Sequence, residues 1–293
     1  MGVALPHDLS TPQRRVWTFL RRFVVRYDAA VFSLPAFAQQ LPIPQFLAYP
    51  SIDPLADKNR RMSAKEVKKT LERLGVPDDK PILLQVSRFD RFKDPIGVIN
   101  AYKLVKGYHD VRLVLAGGGA TDDPDGAAVL NDVREAAGRD PDIYLLDLPS
   151  NAHLAINALQ RAATIVIQKS TREGFGLTVA EAMWKGKPVI GGATGGITVQ
   201  ILYGVTGYTV NSVEGCAFRI RYLLSNPQLM RRMGGAPRPW ASAGSASMAC
   251  GFSRMRSSSG WSRAMTTPRT PRRRGVEREH PARPCLGRLL IRR

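Results

Sequence analysis

The stretch IVIQKSTREGFGLTVAEAMWKGKPVI, residues 165–190, reads as strand, turn, helix, strand. Ile165–Gln168 is a short β-branched apolar run, Gly174 and Gly176 interrupt it, the pattern over residues 178–185 is helical, and Val189–Ile190 begins a second apolar run. Two buried strands separated by one helix form a parallel βαβ unit, because a parallel neighbour is reached only through a crossover. Working outward, the same alternation places strands at Ile82–Ser87, Val111–Ala116, Ile143–Leu146 and Tyr208–Val210. Helices are expected near residues 94–107, 124–137, 152–162 and 214–225. The strands are nearly continuously apolar, as they are when helices cover both faces of a sheet. The expected fold class is therefore α/β, with one complete Rossmann-like doubly wound parallel-sheet domain over residues 79–234.

Residues 1–78 hold too little sequence for a second such domain. Pro12 to Tyr27 reads as an amphipathic helix, Ala30–Phe32 and Phe46–Tyr49 as short strands, and Pro50-Ser51-Ile52-Asp53-Pro54 as a turn. Ser63 is expected to cap a helix running to about Gly75, with Glu66 completing a capping box. Asp122-Asp123-Pro124 reads as a further helix start. Trp17, Phe19, Phe23 and Trp184 are expected to pack as core or interdomain contacts.

Composition changes abruptly after Gly234. Residues 235–293 carry 13 of the 43 basic residues, all arginine, and only 2 of the 24 acids, which leaves a modest +8 of the formal +19 charge on residues 1–234. Three readings of this basic segment stand: a disordered extension, a nucleic-acid or membrane-binding tail, and unselected sequence read out of frame. No run of about 18 apolar residues occurs, and Met1–Ser10 lacks the basic-then-apolar pattern of a secretion signal. Cys216, Cys250 and Cys285 have no metal-ligand spacing and are expected as free thiols in a reducing, cytoplasmic compartment. His7, His109, His153 and His280 are scattered, so neither a metal site nor a cofactor is expected.

Chemistry concentrates in two segments. In Ser87-Arg88-Phe89-Asp90-Arg91-Phe92-Lys93-Asp94 the cations leave the first strand at the carboxyl edge, where open α/β sheets bind ligands. Arginine clamps phosphate oxygens and lysine supplies a point charge, although taken alone such a segment is more often a solvated basic loop. In Arg172–Glu181 the glycines at 174 and 176 permit close backbone approach, and the helix behind them directs its N–H groups and positive dipole end at an anion. Glu181 is placed to accept hydrogen bonds from ribose hydroxyls, and Glu173 to hold the hydroxyls of a sugar. Gly117-Gly118-Gly119 admits two readings, with Gly118 either in contact with a nucleotide or in a plain tight turn. Gly191-Gly192 and Gly195-Gly196 contact the ligand or form a loop.

REGFGLTVAEAMWKGKPVIG at 172–191, VSRFDRFKDP at 86–95, and DLS and SIDPL near residues 8–10 and 51–55 together resemble glycosyltransferase family 4. Within it the chain is similar to the trehalose glycosyltransferring synthases and trehalose phosphorylases. The resemblance implies a GT-B arrangement and metal-independent transfer with retention of anomeric configuration. Glucose would pass from ADP- or UDP-glucose to a glucose acceptor, giving trehalose. The alternatives are a trehalose phosphorylase and a non-catalytic nucleotide-sugar-binding fragment. Arg88 and Lys93 would then act on the diphosphate and Glu173 on the transferred glucose. Gly174, Phe175, Gly176, Leu177, Thr178 and Gly118 would contact the donor, and Glu181 the ribose. The expected domains are a remnant of an acceptor-side domain and its connection at 1–78, the donor domain at 79–234, and the tail at 235–293. The remnant and the tail make an N-terminally truncated, impaired enzyme the expectation. The expected partners are the nucleotide-sugar donor and the glucose acceptor, with no membrane and no specific nucleic acid, and with a homodimer left open.

Overall fold

The computed structural model describes residues 11–118 and 124–235. Two compact units divide the chain between Tyr49 and Pro50. In the first, helix α1 (Thr11–Val24) precedes two short parallel strands, β1 (Ala30–Phe32) and β2 (Gln45–Leu47), with Ala30 opposite Gln45. Phe32, Leu34 and Phe37 are buried, and the Trp17 ring lies 6.2 Å from that of Phe32. The helix ends three residues earlier than its periodicity predicts. Phe19 and Phe23, expected to be packed, are exposed, and the Arg22 guanidinium covers both rings.

The second unit contains a six-stranded parallel sheet of order β5-β4-β3-β6-β7-β8. Its elements run α2 (Ala64–Arg73), β3 (Ile82–Val86), α3 (Pro95–Lys106), β4 (Arg112–Gly117), α4 (Pro124–Ala137), β5 (Ile143–Asp147), α5 (His153–Ala162), β6 (Ile165–Gln168), α6 (Leu177–Trp184), β7 (Val189–Gly192), α7 (Ile197–Gln200), β8 (Gly207–Val210), α8 (Val213–Leu224) and α9 (Pro227–Gly235). All six strands read from the sequence are present, β6 with the expected bounds and the others with one or both ends shifted by a residue or two. The short α7 and α9 were not anticipated. The capping box forms as expected: Ser63 Oγ accepts from the Glu66 N–H, and the Glu66 carboxylate accepts from the Ser63 N–H at 2.7 Å. Asp122 and Asp123 lie outside the described residues, as do Cys250, Cys285 and the arginine-rich segment.

Strand alternation distributes the apolar residues between two cores. Leu83, Leu113, Leu115, Ile165, Ile167 and Ile190 face α3, α4, α8 and α9. Ile82, Leu84, Val86, Val114, Val166 and Val189 face α2, α5, α6 and α7. α2 packs through Leu71, with Val76 just beyond it, into this second core, so it is held with the sheet. Cys216 is a buried free thiol whose pKa burial pushes up to about 12.

The amino ends of β3, β4 and β5 are joined by charge. Lys80 reaches Asp110 at 2.9 Å and Asp142 at 3.1 Å, Lys106 pairs with Asp140 and Asp142, and Arg112 binds Asp79 at 2.7 Å. Burial works to raise the pKa values of Asp140 and Asp142, but hydrogen bonds from Lys106 and Lys80 prevail and hold both below the ordinary 3.8. This cluster lies at the edge of the sheet opposite the site described next.

Candidate active site

The strand order reverses between β3 and β6, the first and fourth strands of the sheet, so loops leaving their carboxyl ends diverge and open a crevice there. The two segments selected from the sequence border this crevice. Leaving β3, Arg91–Lys93 forms one turn of 3₁₀ helix capped by Asp90, whose carboxylate accepts from the N–H groups of Phe92 and Lys93. The Gln85 amide, buried at the end of β3, donates to the Lys93 carbonyl at 2.7 Å. Arg88 is exposed and paired with Asp90 at 3.2 Å. Leaving β6, Gln168 donates to Ser170 Oγ at 3.0 Å and Ser170 donates to Glu173 Oε2 at 3.2 Å.

Four contacts bind the two loops to each other. Lys93 Nζ donates to Glu173 Oε2 at 2.7 Å, Lys169 pairs with Asp94, the Thr171 N–H donates to the Phe92 carbonyl at 2.8 Å, and the Arg172 guanidinium lies over the Phe92 ring. Asp94 adopts φ of +50°, the left-handed region that is costly for a residue with a side chain. The cost is met because its two carboxylate oxygens cap α3 at the Gly97 N–H and hold Lys169.

Gly176 takes φ of +83° and starts α6, whose first turn therefore presents its N–H groups directly behind the Glu173–Phe175 loop. Gln200 on α7 steadies that loop by donating to the carbonyls of Phe175 at 2.5 Å and Gly196 at 3.1 Å. Phe175 is buried, Leu177 is exposed, and Thr178 Oγ1 donates to the Val86 carbonyl at 3.3 Å. Gly195 and Gly196 pack against this loop so closely that a Cβ on Gly195 would fall 1.8 Å from the Glu173 carbonyl oxygen. Gly118 ends β4's exit beside β5, where a Cβ would meet the Leu148 carbonyl oxygen at 2.4 Å. Backbone crowding thus already requires glycine there. Lys169, Thr171, Thr194 and Asn211 help line an open cleft of about 210 Å³ beside the loop.

Glu181 belongs to a second group. It is buried on α6, ion-paired to Lys58 at 2.9 Å and hydrogen-bonded to the Gln160 amide at 3.2 Å. The Lys185 ammonium beneath donates to Gln160 Oε1 at 2.7 Å, Asn59 Oδ1 at 2.9 Å and the Glu181 carbonyl at 3.4 Å. Burial lowers its pKa to about 7, with Glu181 opposing and Arg161 and Lys58 assisting. The structure therefore brings Lys93 and Glu173 together, leaves Arg88 at the exposed rim of the Lys93 loop, and places Glu181 in a separate polar cluster on α6. Sequence reasoning missed Lys58, Asn59, Gln160, Lys185, Ser170, Gln85 and Gln168. Only the last two had a signal, a glutamine within an otherwise apolar strand run.

A family model described as glycosyl transferases group 1 matches residues 66–239, more than half of the chain. The chain belongs to that family. It is 44% identical over 235 residues to the trehalose synthase of Pyrococcus horikoshii, covering 78% of this chain and 56% of that one. It is 34% identical over 170 residues to the trehalose phosphorylase of Pleurotus pulmonarius, covering 52% of this chain and 23% of that one. The fold matches the α,α-trehalose-phosphate synthase (UDP-forming) of Burkholderia vietnamiensis with a TM-score of 0.63 at 17% identity, over 78% of this chain and 59% of that one. The chain thus spans little more than half the length of the trehalose synthase it matches. Among the described residues, no helix is long and apolar enough to cross a membrane, and no group of three or more His, Cys, Asp or Glu is placed to hold a metal ion.

Proposed function

We propose that residues 50–235 form the donor-binding part of a retaining glycosyltransferase that passes glucose from ADP- or UDP-glucose to glucose, giving trehalose. The observation that carries this reading is the Lys93–Glu173 pair at the strand-order switch, held beside the amino end of α6. A diphosphate leaving group gains charge as the glycosidic bond breaks, and fixed donors aimed at that charge lower the barrier without reorganising. Lys93 has three N–H donors and uses one on Glu173, so the others are available to phosphate oxygens. Arg88 at the exposed rim supplies a second cation, and the first turn of α6 supplies backbone N–H groups and its dipole.

Glu173 accepts from Lys93, Ser170 and the Gly174 N–H and still has acceptor capacity for sugar hydroxyls. Its orientation is thereby set before a sugar arrives. Glu181 is assigned to the ribose hydroxyls. The departing phosphate assists deprotonation of the acceptor hydroxyl, so no protein base is required. The trehalose synthase resemblance supports the choice of glucose as donor sugar and acceptor.

Calorimetric titration of the purified chain with ADP-glucose and UDP-glucose, followed by a glucose-transfer assay, tests this reading. Saturable binding and trehalose formation are expected. Binding without transfer would reduce the function to donor recognition, transfer dependent on inorganic phosphate would favour phosphorolysis, and the absence of binding by folded protein would refute the donor assignment.

A further inference from the structure

The segment Ile52–Arg60 has no regular secondary structure, yet side chains of α5 and the end of α6 hold it by partly buried hydrogen bonds. Asn157 on α5 donates to the carbonyls of Asp57 and Arg60 at 2.8 and 2.9 Å. Arg161 donates to the carbonyls of Asn59 and Arg60 at 3.2 and 2.8 Å. The Trp184 indole N–H donates to the Asn59 carbonyl at 3.3 Å, and Lys185 donates to its side chain. Asn59 itself is buried and donates back to the Asp53 carbonyl at 3.0 Å. Irregular backbone fixed this firmly presents its side chains as rigidly as a helix does.

What the segment presents is Lys58. Its ammonium meets Glu181 Oε1 at 2.9 Å, while Gln160 takes Oε2. Lys185 in turn fixes the orientation of the Gln160 amide: with its oxygen accepting from Lys185, its nitrogen must face Glu181. A carboxylate has about four lone-pair positions, and here two are filled, one on each oxygen, by Lys58 and Gln160. These two contacts restrain rotation of the carboxylate, and among the described residues its remaining two positions have no hydrogen-bond donor.

We propose that Lys58 and Gln160, backed by Lys185, are positioning residues that aim Glu181 at a vicinal diol, the 2′- and 3′-hydroxyls of a nucleotide ribose. This rests on the donor reading above and adds the residues that make its ribose contact selective. Two neighbouring hydroxyls are matched by two fixed acceptor positions, whereas a freely rotating carboxylate loses rotamer entropy on binding and discriminates less. Lys58 therefore acts on the hydroxyls through Glu181 and makes no contact of its own with the diphosphate.

The test compares ADP with 2′,3′-dideoxy-ADP, or the uridine pair if UDP-glucose binds better, by calorimetry on the full chain. The wild-type chain is expected to prefer the diol-bearing nucleotide at least about tenfold, the scale of hydrogen bonds to a charged acceptor. Lys58→Met and Gln160→Leu are expected to weaken ADP binding while leaving dideoxy-ADP within about twofold, thereby collapsing the preference. Lys58→Arg is expected to preserve it. Because Gln160 is buried and Lys58 sits at the rim, the Lys58 variants carry the test if Gln160→Leu does not fold. Equal weakening of both nucleotides by Lys58→Met would make Lys58 a diphosphate contact and overturn the proposal, as would preference retained in full. A wild-type chain that binds both nucleotides equally would remove the ribose role of Glu181. One that binds neither would instead refute the donor reading itself.

Discussion

The Lys93–Glu173 pair joins the two loops of the crevice, so its energetics are open to a double-mutant cycle with Lys93→Met and Glu173→Gln. The side chains are 17% and 10% exposed and 2.7 Å apart. At an effective dielectric of about 20 their attraction is on the order of 6 kcal/mol, most of which offsets the cost of removing two charges from water. Removing one member of a buried pair typically costs about 3–5 kcal/mol. Here Glu173 keeps the Ser170 hydroxyl and the Gly174 N–H, which places Lys93→Met lower, at about 2–3 kcal/mol. For a unit of this size that is a fall in Tm of about 4–12 °C. Glu173→Gln is expected to cost less, about 1–2 kcal/mol, because the long lysine side chain can turn its ammonium into solvent. The double variant is expected to be more stable than the sum of the single losses by about 1.5 kcal/mol, read from urea unfolding followed by tryptophan fluorescence. Additivity within about 0.5 kcal/mol would refute the pair as the tie between the loops.

The glycine pair Gly195 and Gly204 separates backbone strain from site geometry. Both have positive φ, +49° and +77°, so alanine at either costs about 1–2 kcal/mol. Only at Gly195 would the new Cβ strike the Glu173 carbonyl, so Gly195→Ala is expected to abolish donor binding in the same titration while Gly204→Ala retains it. The ion cluster at the other edge of the sheet governs acid stability. Asp140 and Asp142 have folded-state pKa values below 3.8, so the stability they contribute is present above that pH and is lost as pH falls below it toward their lowered values. Melting temperatures measured from about pH 6 to about pH 2 are expected to fall most steeply below about pH 4, and less steeply in Asp142→Asn. An unchanged slope in that variant would count against the assignment.

The order of strands and helices was legible because each element carries its own periodicity. ILLQV and IVIQ are short, apolar, β-branched runs of the kind that suit a buried parallel strand, and the Ser63–Glu66 box specifies a helix start within four residues. The Gly-Phe-Gly turn and the paired loop cations were legible for the same reason, since spacing within one segment determines what a strand end or helix start can present. Phe19 and Phe23 were misread because amphipathic spacing defines a face without naming what covers it. The partner of each charge was decided by tertiary structure alone. Glu173 meets Lys93 across 80 residues because β3 and β6 are adjacent, and Glu181 meets Lys58 because α5 and α6 hold an irregular segment that no periodicity marks. Local patterning acts over a few residues and fixes the elements. The electrostatics of the site depend on distances of a few ångströms between residues far apart in the chain, and those distances exist only once the sheet has set its strand order.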